Sequence, residues 1–329
     1  MDLERKIMSS EARIGIVGIG YVGLPLAVEI ARRGYPTVGI DVDRAKVDAV
    51  RRGRSFIEDV PSADIAAVVN SGKLTATTDY RACGKCDIIN VCVPTPFTPT
   101  KDPDTSYIED AGRRIARTLR KDQLIILRST TYPDTTEKVL QPILERSGLK
   151  AGRDFYLSFA PERIDPGNKR FATANTPVVV GGVTRACTRL TELFYSRFVN
   201  KVHTVSSPRA AEMSKLLENI FRSVNIALVN ELALMCERMG DIDIWEVIEA
   251  ASTKPFGFLP FYPGPGIGGH CILIDPYYLS WKAREFDFHS NFIELAAQTN
   301  ENMPFRVADR LLEVLGTNGV PSSRAFHER

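Results

Sequence analysis

Cys271 stands at the end of the run Pro263-Gly264-Pro265-Gly266-Ile267-Gly268-Gly269-His270, and Asp275 follows four residues later. A cysteine does chemistry as its thiolate, which adds to carbonyl carbons and other electrophiles. Glycines let the backbone take up positive φ and approach a ligand that larger side chains would hold off. The run therefore reads as a loop presenting a nucleophile. A free thiol has a pKa of about 8.5, so this reading calls for a cation or backbone dipoles near the sulfur. Lys215 is the candidate cation. His270 reads equally well as a solvent or backbone contact. A lone cysteine is more often a small buried hydrophobe. The glycine-rich approach separates Cys271 from Cys83, Cys86, Cys92, Cys187 and Cys236, all read as structural. Cys83 and Cys86 form a single CxxC with no second pair, and the four histidines follow no ligand spacing, so no metal site is expected.

A second chemistry is written near the start. Ile14 to Ile19 is an apolar run, Gly18-Ile19-Gly20-Tyr21-Val22-Gly23 follows, and Leu24, Leu26, Ile30 and Ala31 recur at helical spacing. In such a strand–turn–helix Gly18 makes the turn and Gly20 admits a pyrophosphate to the backbone. Gly23 lets the helix pack on the strand with its amides facing the anion. Asp41 ends the next apolar run, about 20 residues on, where a carboxylate accepts the adenine-ribose hydroxyls and repels a 2′-phosphate. The expected cofactor is NAD, with Gly18, Gly20, Tyr21, Val22, Gly23 and Asp41 around it and Arg44 close by.

These two sites need a scaffold. Val38–Asp41, Asp87–Val93 and Gln123–Leu127 are further apolar runs separated by helical patterns such as Ile108–Leu119, and Phe155–Phe159, Pro177–Val180 and Lys201–Val205 look like later strands. Strands alternating with helices predict an α/β fold, a Rossmann-like parallel sheet covered on both faces. After Ser207-Pro208, Arg209–Met239 lacks glycine and proline and predicts one long helix. Its wheel gathers Glu212, Lys215, Asn219 and Arg222 on one side, for a site, and Met213, Leu217, Ile220, Phe221, Val224 and Leu228 opposite, for packing. Helices are also expected at Ile244–Ser252, Pro276–Phe286 and Asn291–Leu315. The domains are then 1–206, a dinucleotide-binding unit; 207–315, an all-helical central domain with the cysteine loop; and 316–329, a poorly ordered tail.

Composition excludes several classes. At 44% hydrophobic and 25% charged, 329 residues can bury substantial cores. The 42 basic and 40 acidic side chains are mixed along the chain, so neither nucleic acid nor an anionic membrane is an expected partner. No apolar run is long enough to span a bilayer. Six cysteines without a secretory leader before Arg13 point to reduced thiols in a cytoplasm.

Taken together, these motifs resemble the UDP-glucose/GDP-mannose dehydrogenase family over nearly the whole chain. The dinucleotide motif matches at Gly18, Gly20, Gly23 and Asp41, and the short cofactor loop at Pro94-Thr95-Pro96. The Ser-Thr turn matches at Ser129-Thr130, the Pro-Glu element at Pro161-Glu162, the long-helix pair at Lys215 and Asn219, and the cysteine loop at Gly268-Gly269-His270-Cys271 with Asp275. The resemblance implies NAD-dependent oxidation of a nucleotide-sugar C6 alcohol through an aldehyde to a carboxylate. It makes Cys271 the nucleophile, Lys215 and Asn219 the oxyanion stabilisers, Glu162 and Thr130 the handlers of a water, and Asp275 an aid to hydrolysis. It adds Thr95, Ser129 and Thr130 to the NAD site.

Pro161-Glu162-Arg163 with Pro166-Gly167, and Thr253–Phe258 leading into Phe261–Gly266, resemble the branch acting on UDP-2-acetamido sugars. UDP-N-acetylglucosamine is favoured, and UDP-N-acetylmannosamine, UDP-N-acetylgalactosamine and UDP-glucose are open. Leu273 stands where this branch usually has proline. The family's third α/β domain, which completes the sugar-nucleotide site, is not recognisable after Leu315, so a noncatalytic NAD-binding fragment is an alternative. So is a two-electron β-hydroxyacid dehydrogenase, which leaves the Cys271 loop without a task. The large apolar face of the long helix predicts a homodimer.

Overall fold

The computed structural model describes residues 2–98, 100–163, 174–268 and 270–317, with the backbone alone for residues 2, 270–275 and 317. Two compact units divide the chain, Met1–Lys215 and Leu216–Arg329. The first unit runs α1 (Asp2–Met8), β1 (Ile14–Val17), α2 (Gly23–Arg32), β2 (Thr37–Ile40), α3 (Arg44–Arg51), α4 (Ser62–Asn70), β3 (Leu74–Thr77), β4 (Ile88–Val91), α5 (Ser106–Ala116) and β5 (Leu124–Leu127). A π-helical stretch, Thr135–Leu140, leads into the short α6 (Gln141–Leu144), then β6 (Tyr156–Phe159), β7 (Val178–Gly182), α7 (Arg185–Tyr195) and β8 (Val202–Thr204). The helix α8 (Pro208–Met239) begins in the first unit and continues into the second, which adds α9 (Ile244–Ser252), α10 (His270–Arg284) and α11 (Asn291–Thr317).

All eight strands form one sheet in the order β3-β2-β1-β4-β5-β6-β7-β8. The first six are parallel, β7 runs antiparallel to β6, and β8 is parallel to β7. The central strands β1, β4 and β5 are buried at every position, as strands covered on both faces must be. Their side chains alternate between two cores. Ile14, Ile16, Ile88, Leu124 and Ile126 join one, with α2, α4 and α7, while Val17, Ile89, Val91, Ile125 and Leu127 join the other, with α5. Helix starts are set locally: Asp43 accepts from the Ala45 and Lys46 amides at α3, and Asp243 accepts from the Trp245 amide at α9. Gly240, at φ +72°, follows the last residue of α8 in the left-handed conformation that ends helices.

Several expectations are corrected here. β3, α1 and α4 were not among the predicted elements, and the sheet is not wholly parallel. The helix expected from Pro276 begins six residues earlier, at His270, so Cys271 lies in its first turn and not in a loop. Gly316 and Thr317 belong to α11; the rest of the predicted tail, and Pro166-Gly167, lie outside the described residues.

The packing expected of α8 is met at Ile220, which is buried, but is contradicted at most other positions. Glu212 and Asn219 of its polar side are buried, while Met213, Leu217, Phe221 and Leu228 of its apolar side are exposed, Leu217 by 61%. A helical wheel says which residues share a face but not which face the rest of the chain covers.

Candidate active site

The glycine turn between β1 and α2 is shaped by close backbone approaches. The Gly18 N–H donates to the Ile40 carbonyl at 2.8 Å and the Cys92 N–H to the Val17 carbonyl at 2.7 Å, tying the turn to β2 and to the end of β4. Gly18 sits at φ +88°, and a Cβ there would lie 2.7 Å from the Cys92 carbonyl oxygen. A Cβ on Gly23 would lie 1.8 Å from the Gly18 carbonyl oxygen. Gly20 has open space at its Cβ position. Two of the three glycines are therefore required by the fold, and the third faces a vacant approach at the start of α2. That arrangement fits a dinucleotide pyrophosphate.

Asp41, directly after β2, is 7% exposed. One carboxylate oxygen accepts from the Ile19 amide and the other from the Asp43 amide, each at 2.9 Å. The carboxylate thus braces the glycine turn, a role sequence spacing did not reveal. Each oxygen keeps a lone pair for a ribose hydroxyl. Tyr21 is exposed, Val22 packs against the core, and Arg44 is the exposed first residue of α3.

The loops after β4 and β5 are fastened to each other. The Ser129 hydroxyl donates to the Val93 carbonyl, and the Thr95 hydroxyl donates to the Thr130 carbonyl, both at 2.7 Å. Thr95, Ser129 and Thr130 therefore come together at the carboxyl ends of adjacent strands, where open α/β sheets bind ligands.

Glu162, three residues past β6, receives the Arg128 guanidinium at 2.6 Å on one oxygen and the Arg163 amide at 2.8 Å on the other. Arg128 is 2% exposed, and its second terminal nitrogen donates at 2.6 Å to the Tyr195 hydroxyl, which donates at 2.8 Å to Asn90. Burial pushes the Tyr195 phenol and the Cys92 thiol each up to about 12, so both stay protonated. Sequence reading missed Arg128, Tyr195 and Asn90. The available signal was a charged residue directly after a wholly apolar strand, where an unpaired charge is costly.

The first turns of α8 are fastened to the segment after Ser129-Thr130. Glu212 accepts from the amides of Asp134 and Thr136, each at 2.8 Å, and from the Thr136 hydroxyl at 2.6 Å. Arg209 lies 3.3 Å from the Asp134 carboxylate. Burial pushes the Glu212 carboxyl up to about 7 against these three donors, and Glu137 adds like charge. An unfolded glutamate titrates near 4.5, so between those values the folded chain holds a proton that the unfolded chain releases. This stabilising contribution is present below about pH 4.5 and is lost as pH rises through about 7. Glu212→Gln is expected to flatten that part of the stability profile, by about 1–3 kcal/mol across the window. Calorimetry of both chains over that range checks it.

Lys215, half-buried, and Asn219, buried, are one turn apart on α8. In the second unit, residues 261–268 are irregular, and of Gly264, Gly266 and Gly268 only Gly266 has positive φ, +114°. Cys271 is the second residue of α10 and Asp275 the sixth; the side chains of Cys271, Leu273 and Asp275 lie outside the described atoms.

The first unit has the sheet and glycine turn of an NAD-binding domain, and the second is helical and carries the cysteine. The chain belongs to the UDP-glucose/GDP-mannose dehydrogenase family: the family's NAD binding domain matches residues 12–199 and its central domain residues 209–302. It is 37% identical over 307 residues to a UDP-N-acetyl-D-glucosamine 6-dehydrogenase of Pseudomonas aeruginosa, covering 93% of this chain and 71% of that relative. It is 38% identical over 316 residues to a UDP-N-acetyl-D-mannosamine dehydrogenase of Pyrococcus horikoshii, covering 95% and 74%. The solved UDP-D-ManNAc dehydrogenase from Pyrococcus horikoshii superposes with a TM-score of 0.88 at 36% identity, over 94% of this chain and 72% of that one. A UDP-glucose dehydrogenase from Pyrobaculum islandicum gives 0.85 at 27%, over 93% and 72%. The chain is thus a nucleotide-sugar dehydrogenase by family and an NAD-dependent oxidoreductase by class. Among the described residues no helix is long and apolar enough to cross a membrane.

Asp41→Ala removes the brace of the glycine turn and the ribose acceptor together. NAD is expected to bind at least about tenfold more weakly, the scale of one lost charged hydrogen bond, with the preference over NADP reduced. Titration calorimetry with both dinucleotides measures this.

Proposed function

We propose that the chain oxidises the C6 alcohol of a UDP-2-acetamido sugar, UDP-N-acetylglucosamine first, to the uronic acid. The observation that carries the reading is the coexistence of a fitted NAD cradle at Gly18–Gly23 with Cys271 in the first turn of α10. Substrate class is supported by the P. aeruginosa and P. horikoshii relatives, a UDP-N-acetyl-D-glucosamine 6-dehydrogenase and a UDP-N-acetyl-D-mannosamine dehydrogenase. Domain limits of 1–206 and 207–315 serve the same reading.

Bound NAD supplies the hydride acceptor, one molecule for each of the two oxidations. An aldehyde cannot give up a second hydride until a nucleophile has added to its carbon. Cys271 adds as thiolate to give a thiohemiacetal, whose oxidation leaves a thioester, and water cleaves this to the acid and restores the thiol. Lys215 and Asn219 stabilise the oxyanion at each addition. Glu162, held by Arg128, and Thr130 place the hydrolytic water, and Asp275 assists its attack.

Two copies associate through α8, whose exposed Met213, Leu217, Phe221, Leu228, Met235 and Met239 recur at four- and seven-residue spacing. Light scattering is expected to give the mass of a dimer, and a monomer mass contradicts that part of the reading. The cytoplasm is the proposed compartment, on the five buried free cysteines. A panel of UDP-sugars with NAD, followed at the nicotinamide absorbance, tests the substrate. Fastest turnover with UDP-N-acetylglucosamine is expected, and turnover of UDP-glucose alone contradicts the assignment.

A further inference from the structure

The second unit contains a buried amide relay that the proposed chemistry does not use. Asn230, on α8, is wholly buried, and Asn300, on α11, is 2% exposed. The Asn230 carbonyl oxygen accepts from the Gly264 N–H at 2.9 Å, and its amide nitrogen donates to the Asn300 side-chain oxygen at 3.0 Å. The Asn300 amide nitrogen in turn donates to the Ser223 backbone carbonyl at 3.0 Å, with a longer contact of 3.5 Å to the Ser223 hydroxyl. The relay runs from α8 through α11 to the backbone of the glycine-rich approach.

A second fixing point lies two residues further on. Pro304, inside α11, has no N–H to offer the Asn300 carbonyl four residues before it, and the chain approaches α11 there through Gly266. A Cβ on Gly266 would lie 3.0 Å from that carbonyl oxygen and 3.3 Å from the Pro304 ring, and Gly266 is at φ +114°. Only glycine fits both the space and the conformation. The approach is therefore held at Gly264 by hydrogen bonding and at Gly266 by contact, four residues before α10 begins.

We propose that Asn230 and Asn300 are positioning residues, which fix the entry of α10, the helix whose second residue is Cys271. The inference rests on the reading of Cys271 as the nucleophile. Unpaired amides at a helix N-terminus favour an anion, and a thiolate held there forms at lower pH than a free one. Losing the relay frays the first turn and returns the thiol to ordinary behaviour. A buried asparagine whose partner is deleted leaves polar groups unsatisfied, so the relay is sensitive to truncation at either end.

The test is alkylation of each cysteine by iodoacetamide across pH, resolved by peptide mass spectrometry on the whole 329-residue chain. In the unmodified chain Cys271 is expected to titrate below the ordinary thiol value of about 8.5. Asn300→Ala and Gly266→Ala are each expected to raise that midpoint toward about 8.5 and slow Cys271 alkylation about three- to tenfold near neutral pH. Ser223→Ala keeps the backbone acceptor and is expected to change nothing. The buried Cys83, Cys86, Cys92 and Cys187 report on the first unit and Cys236 on the second, and all five should stay slow in every variant. An unchanged Cys271 midpoint in Asn300→Ala overturns the positioning role while leaving the nucleophile in place. Faster alkylation of Cys236, the buried cysteine of the second unit, in that variant also overturns it, because the relay would then hold the whole unit and not the approach. A midpoint near 8.5 in the unmodified chain overturns the activated thiol itself, a different result from either.

Discussion

Replacing Cys271 by serine is expected to lower acid formation from the UDP-sugar by about 10⁴-fold or more, the scale seen when an essential nucleophile is removed. NAD affinity should be unchanged, because the glycine turn, Asp41 and the Ser129-Thr130 loop all belong to the first unit and the cysteine does not. A serine hydroxyl at the same place is a far weaker nucleophile at neutral pH, so the second oxidation and not the first is lost. Quenched-flow detection of aldehyde and acid together with NAD calorimetry separates the two steps. Undiminished acid formation by Cys271→Ser removes the thiohemiacetal and thioester from the mechanism.

The second large effect is structural. Arg128→Met is expected to destabilise the first unit by about 3–5 kcal/mol, the usual cost of breaking a buried ion pair by removing one partner. For a domain of this size that corresponds to a fall of about 6–20 °C in melting temperature. Three contacts to two partners are lost at once: the Glu162 carboxylate loses its 2.6 Å contact, the Tyr195 hydroxyl loses the hydrogen bond it accepts, and the guanidinium no longer stacks at 5.2 Å over the Tyr195 ring. A hydrophobic side chain of similar length fills the space but satisfies none of these groups. Glu162→Gln, which retains an oxygen for Arg128, should cost less. Scanning calorimetry orders the variants, and equal melting temperatures for Arg128→Met and the parent chain contradict the role given to the pair.

The parts of this molecule that could be read from residues alone were those whose physics is local. Ile14–Val17, the glycine turn and α2 are specified within twenty residues, and the long helix was placed to within one residue because nothing in it breaks a helix. β3, with Leu74 and Ala76 buried between more exposed threonines, is a short edge strand with too few apolar residues to stand out. The start of α10 was misplaced because Pro276 resembles a first-turn proline, whereas it lies inside the helix. Long-range pairing was least legible. Arg128 meets Glu162 across 34 positions and Glu212 meets Thr136 across 76, and no periodicity encodes either. The exposed apolar side of α8 follows from the same limitation, since the pattern of the helix does not reveal what surrounds it.

The most direct test of the account is a count of nicotinamide reduced per sugar oxidised. With UDP-N-acetylglucosamine and excess NAD, the chain is predicted to form two NADH for each UDP-uronic acid, measured by absorbance and by mass spectrometry of the product. One NADH per turnover with the aldehyde as the final product would contradict the four-electron reaction and leave Cys271 without a chemical task.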